Sequence, residues 1–126
     1  MAILIAGGVL LLSSRTTEGF QSVPELVDAL ETGGIACTDL QTSDIELAED
    51  LGGQFGSCTI KDQTVNIHVY FVDPDRVAGH IKNNVSVRGQ SPTYFTSLVA
   101  GSNWVVDSYA VATSKEVQAV LGGQIH

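Results

Sequence analysis

Residues 65–71 alternate apolar with polar or amphipathic side chains, and this alternation constrains the fold more than any other feature of the chain. Val65, Ile67, Val69 and Phe71 fall on one side, and Asn66, His68 and Tyr70 on the other, which is the period of a half-buried strand. Cys58 and Ile60 come before a turn at residues 61–64, so residues 57–72 read as a β-hairpin. A hairpin with one apolar face is not stable alone. It must bury that face against another layer.

The flanking sequence supplies that layer. Ser22, Pro24 and Glu25 form a capping box with Pro in the first turn. Leu26, Val27, Ala29 and Leu30 then give an apolar helix face, and Gly33-Gly34 stops the helix. A short strand carrying Cys37 is expected over residues 35–40. Asp73-Pro74-Asp75 reads as the start of a second helix with Val77, Ala78 and Ile81 inward, ended by Asn83-Asn84. Residues 85–92 read as loop or weak strand, and residues 94–99 and 104–111 as two strands joined by the turn 100–103. A second capping box, Thr113 to Glu116, opens a last helix with Val117, Val120 and Leu121 inward and Gly122-Gly123 as its stop. The order α-β-β-β-α-β-β-α predicts an α+β domain: a small antiparallel sheet with helices packed on one face. Its bounds are residues 22–126, preceded by a polar tether over 15–21 and a hydrophobic segment over 1–14.

Residues 2–12 are wholly apolar or glycine, long enough for the core of an export signal and too short to span a bilayer. The expected placement is extracytoplasmic, in the cell envelope or secreted, with anchoring by residues 2–12. The competing reading is a first strand buried on both faces. Cys37 and Cys58 are an even count with twenty residues between them, and match neither a zinc signature nor a redox Cys-x-x-Cys. A disulfide is the economical reading, and two buried thiols are the alternative.

Charge is scarce and uneven. Only 16% of residues are charged, against about 25% in an average domain, and residues 16–50 hold nine acids and no Lys or Arg. A net charge of −8 argues against nucleic acid, whose binding draws on Lys and Arg contacts to phosphate. The cluster Asp44, Glu46, Glu49 and Asp50 is a weak candidate for a divalent cation, set against a merely solvated acidic face. His68 and His80 are too far apart in sequence for a local ligand pair and read as isolated surface residues, so no metal centre or cofactor is expected. The glycines at positions 52, 53 and 56 lack the Gly-Lys-Ser/Thr of a phosphate loop, and no nucleophile elbow is present. Asn84-Val85-Ser86 fits a glycosylation sequon. Trp104, with Asn103 and Tyr94 nearby, is a candidate anchor for a partner, against the alternative that Trp104 plugs the core with its N–H bonded to backbone.

The helix ending Gly-Gly-Ile-Ala-Cys (33–37), the Gly-Ser-Cys at 56–58, the Gly-Ser-Asn-Trp-Val-Val at 101–106 and the terminal Val-Leu-Gly-Gly-Gln-Ile at 120–125 together make a pattern. Over residues 23–125 it resembles small, uncharacterised secreted proteins and lipoproteins of actinobacteria and their phages. The resemblance implies that Cys37 and Cys58 are paired and that the domain faces outward from the membrane; no Cys follows the apolar segment, so it does not extend to lipid attachment. It implies no activity. The expectation is a non-catalytic module that binds a protein partner at the membrane or cell envelope, with small-ligand or cation binding as the alternative. A hydrolase assembled only in three dimensions is a more remote third.

Overall fold

In the computed structural model, residues 19–43, 53–70, 75–90 and 96–126 are described here. They form three helices and one sheet: α1 (Val23–Thr32), β1 (Thr38–Thr42), β2 (Gln54–Ile60), β3 (Gln63–Val69), α2 (Arg76–Gln90), β4 (Ser97–Ala100), β5 (Trp104–Ser108), α3 (Val111–Leu121) and β6 (Gln124–Ile125). The strands lie in the order β1-β2-β3-β5-β4-β6, every neighbouring pair antiparallel. The α+β class and the order of elements are as the sequence predicts, with the short β6 added at the edge. The expected export segment, residues 1–14, lies outside the described residues.

The main core forms on the face that the alternation marked out. Val65, Ile67 and Val69 of β3 join Cys58 and Ile60 of β2, Val99 of β4, and Trp104 and Val106 of β5. Against them pack Val23, Leu26, Val27 and Leu30 of α1 and Val117 and Leu121 of α3. The helix between them is different. Val77 of α2 packs with Tyr70, Leu98, Ala100 and Val105 on the opposite side of the sheet, with Ile81 and Phe55 at its margin. The expectation that all helices pack on one face is therefore corrected: two share one face, and the third covers part of the other. The reason lies in β4 and β5: Leu98, Ala100 and Val105 alternate with Val99 and Val106 as apolar residues on both sides, so their outer face also needs cover.

The ends of the elements have separable causes. At α1, Ser22 Oγ accepts from the Glu25 N–H at 3.2 Å, as the capping box requires. At its far end the Ile35 N–H reaches the Leu30 carbonyl and the Gly34 N–H the Glu31 carbonyl, a Schellman closure that needs the positive φ of Gly34 (93°). The second capping box does not form: α3 begins at Val111 behind Ala110, which makes no side-chain cap. Thr113 and Ser114 are instead turned inward, with Thr113 Oγ1 donating to Gln63 Oε1 at 3.3 Å and Ser114 Oγ meeting Ser108 Oγ at 3.1 Å. Glu116 pairs with Lys61. Helix α2 also runs past Asn83-Asn84 to Gln90, because its later residues have tertiary partners: Thr96 Oγ1 donates to Asn84 Oδ1 at 2.9 Å, and Arg88 donates to the His126 carbonyl. The sequon therefore sits on a helix with its Asn84 amide already engaged.

Part of the segment expected as a tether packs on the domain. Phe20 is buried, edge-on to Trp104, and its backbone N–H and carbonyl both bond the Asn103 side chain, at 2.9 and 2.6 Å. At the other end, a Cβ on Gly123 would lie 2.5 Å from the Ala100 carbonyl oxygen, so only glycine lets α3 turn back into β6 there.

Cys37 and Cys58 are joined in a disulfide with Cα atoms 5.4 Å apart, tying the segment after α1 to the centre of β2. Closing a loop of this length stabilises by about 3 kcal/mol in the chain-entropy model. Replacing both cysteines with serine should lower the urea-extrapolated stability by about that amount and abolish the effect of reductant on the melt. The β2–β3 turn offers a converse test. Lys61 and Asp62 both have positive φ (50° and 66°), the backbone of a type I′ turn occupied by residues ill suited to it. Asp62→Gly should stabilise the domain by up to about 1 kcal/mol, read as a higher denaturation midpoint at unchanged slope.

Candidate functional site

The outer face of the sheet holds the polar residues of the alternating strand. In β3, Asn66 and His68 point away from the core. Asn66 pairs directly with Asp107 of β5, which places His68 diagonally beside that carboxylate. Helix α2 lies over this face and lowers His80 onto the same spot. His80 Nε2 comes to 3.3 and 3.2 Å from the two Asp107 oxygens, and His68 Nε2 to 3.4 Å from Oδ2. The two imidazole rings meet edge to face with centroids 4.5 Å apart. Tyr70 closes the inner side, its hydroxyl 2.8 Å from His80 Nδ1.

The side chains of His68, His80 and Asp107 are 24%, 11% and 14% exposed, half-sheltered rather than free on the surface. The expectation of isolated surface histidines is therefore corrected: a strand, a helix and a second strand bring them together. The protons follow from the neighbours. A carboxylate only accepts, so His80 Nε2 carries hydrogen towards Asp107, and in the neutral ring Nδ1 is left to accept from the Tyr70 phenol. Burial, the nearby Asp107 charge and an opposing pull from Arg76 leave the Tyr70 phenol above its ordinary pKa, which keeps that hydrogen in place. Burial would raise Asp107, but hydrogen bonds from His68 and His80, reinforced by the positive charge of either ring when it is protonated, outweigh it and hold the carboxyl below its usual value.

One ligand atom from each of His68, His80 and Asp107 lies within 4.8 Å of the others, a set able to hold a metal ion. Ligands at 2.0–2.1 Å in a tetrahedron are separated by about 3.3 Å. The two histidine-to-Asp107 Oδ2 separations, 3.2 and 3.4 Å, already match that edge. Two imidazoles and one carboxylate suit zinc, copper, iron or nickel, not calcium or magnesium, which prefer all-oxygen shells. With Nε2 on a metal, the ring hydrogen would move to Nδ1 and the bond to Tyr70 would reverse, Nδ1 donating to the phenol oxygen, which is the kind of outer partner that orients a metal-bound imidazole.

The sequence-predicted candidates fare differently. Trp104 is fully buried and Asn103 is bonded to Phe20, so neither is available as a partner anchor. The indole Nε1 packs over Gly101 with no hydrogen-bond partner among the described residues, so none of these supplies the backbone bond expected of a core tryptophan. Tyr94 and the acidic cluster Asp44, Glu46, Glu49 and Asp50 lie outside the described residues. One signal could have pointed to the cluster: Asp107 is the only charge between Arg88 and Lys115, and it directly follows the apolar run over residues 104–106.

The low pKa of Asp107 makes its contribution pH-dependent. A carboxyl depressed on folding stabilises fully above its unfolded value and loses that stabilisation as pH falls through the folded one. Asp107→Asn should cost about 1–3 kcal/mol at pH 7, and the gap from wild type should narrow below a pH of about 4, measured by urea melts across pH.

No protein-family model matches the chain, and neither a curated protein nor a solved structure matches it.

Proposed function

We propose that the chain is a non-catalytic extracytoplasmic binding module whose ligand is a divalent transition-metal ion held by His68, His80 and Asp107. The observation that carries this reading is the convergence of both histidines on a single oxygen of Asp107, at tetrahedral-edge separations. Placement outside the cytoplasm is supported by the disulfide and by the apolar run over residues 2–12. Among the described residues no helix is long and apolar enough to cross a membrane.

Binding of a cation ranks above capture of a protein partner because Trp104 and Asn103, two of the three residues expected to anchor a partner, are committed inside the domain. Binding also ranks above turnover. Tyr70 is the hydroxyl within reach of a histidine base, but it is 7% exposed and pushed towards its protonated form, the reverse of an activated nucleophile.

The test is titration of chelator-stripped protein with zinc, cobalt(II) and calcium. Zinc should bind at one equivalent and stabilise by about 2.7 kcal/mol at a hundredfold excess over its dissociation constant, while calcium should leave the melt unchanged. Cobalt(II) should give the strong visible bands of a tetrahedral site. His68→Ala and His80→Ala should each abolish both signals, and His126→Ala should retain them. Binding that survives the double His68/His80 replacement would sink the proposal.

A further inference from the structure

The metal reading leaves one side of the site open, and the sheet beside it is built to receive something. The register aligns Gln41 of β1 with Ser57 of β2, Ser57 with Asn66 of β3, and Asn66 with Asp107 of β5. Directly paired residues share a face. An amide, a hydroxyl and a second amide therefore form a row that crosses three strands and ends at the carboxylate of the cluster. Helix α2 packs at the β4–β5 end of this face, through Val77 on Leu98, Ala100 and Val105. At the other end lies a groove of about 430 Å³, lined by Gln41, Ser43, Phe55, Ser57, Asn66 and His68 among others. This is the size of a small-molecule site, and His68 belongs both to the groove and to the cluster.

Charge selects the occupant. Two neutral imidazoles and one carboxylate around a divalent ion leave one positive charge, with a fourth tetrahedral position unfilled by the described residues. The described residues lining the groove are otherwise uncharged: amides, hydroxyls, one aromatic ring and an imidazole. Resting on the metal reading, we infer that this groove admits a small carboxylate, its anionic head completing the metal's coordination and its neutral, hydrogen-bonding tail lying along Asn66, Ser57 and Gln41. Phe55, whose ring is 5.1 Å from that of His68, gives the tail an apolar wall. In a chain of net charge −8 the metal is what makes an anion welcome, so the carboxylate binds only to the loaded protein.

The full chain loaded with cobalt(II) tests this through its visible bands, which shift when the fourth ligand changes. The probes are acetate as a head without a tail, N-acetylglycylglycine as an amide-tailed carboxylate, galacturonate as a hydroxyl-tailed one, and N-acetylglycylglycinamide as a tail without a head. At least one tailed carboxylate should bind about tenfold more tightly than acetate, the gain expected from one or two net hydrogen bonds, and the one that does identifies the tail. The amide lacking a carboxylate should leave the bands in place. Ser57→Ala and Asn66→Ala should keep the cobalt bands, which also certifies their folding, and reduce the tailed probe to the affinity of acetate. Cobalt bands that respond equally to all three carboxylates, or a tail advantage untouched by both variants, would overturn the inference alone. No cobalt bands in the wild type would remove the metal reading and this inference together.

Discussion

A β-strand sends neighbouring side chains to opposite faces, and in β3 that geometric rule separates core from site. Val65, Ile67 and Val69 are fully buried under α1 and α3, while Asn66 and His68 between them face the groove and the cluster. A slip of one residue in the pairing of β3 would exchange these sets, putting an imidazole and an amide into an apolar core. The register that keeps the core dry is therefore the register that aligns Asn66 with Asp107 and brings His68 beside it. The site cannot be lost by sliding without also unmaking the fold.

Other devices hold that register from both ends. The type I′ turn at Lys61-Asp62 fixes the β2–β3 pairing, and the Cys37–Cys58 link fastens β2 to the segment leaving α1. On the far side, β5 is located by the Ser102-Asn103 turn, whose Asn103 carbonyl also accepts from the Tyr70 N–H at 2.7 Å. One residue thereby ties the entering chain at Phe20, the end of β3 and the start of β5 together. The Gly-Ser-Asn-Trp turn is thus a structural junction: the Asn103 side chain holds Phe20, its carbonyl holds the end of β3, and the Trp104 ring fills the core.

How much of this was legible follows from the range of each signal. The hairpin, the Ser22 cap and the glycine stops of α1 and α3 are local, set by residues within one turn or one period, and they read directly. The length of α2 did not, because Asn84 and Arg88 are stabilised by Thr96 and His126, partners far along the chain. The start of α3 was misplaced for the same reason, since Gln63 and Ser108 claim the hydroxyls that a capping box would have used. The cluster was least legible of all. Its members sit at positions 68, 80 and 107, and their meeting depends on β3 pairing with β5 and on α2 crossing the outer face rather than the inner one. No spacing rule encodes that crossing.

The placement of α2 also bears on why such a cluster persists. Val105, Leu98 and Ala100 draw the helix onto the outer face through Val77, and Ile81 packs at the edge of the same contact. Between them in sequence, His80 is carried over Asp107 by an apolar contact that would exist without it. A carboxylate in that half-buried position loses hydration, and its low pKa means that the surrounding groups more than replace what it loses. If charge neutralisation were the whole purpose, one Lys or Arg would do it with a single side chain. Two imidazoles directed at one oxygen are a less economical counter-charge, but they are the softer, neutral donors that a transition metal takes. On the proposed metal reading, the cost of sheltering Asp107 is offset twice, by the histidines in the empty site and by the ion in the loaded one.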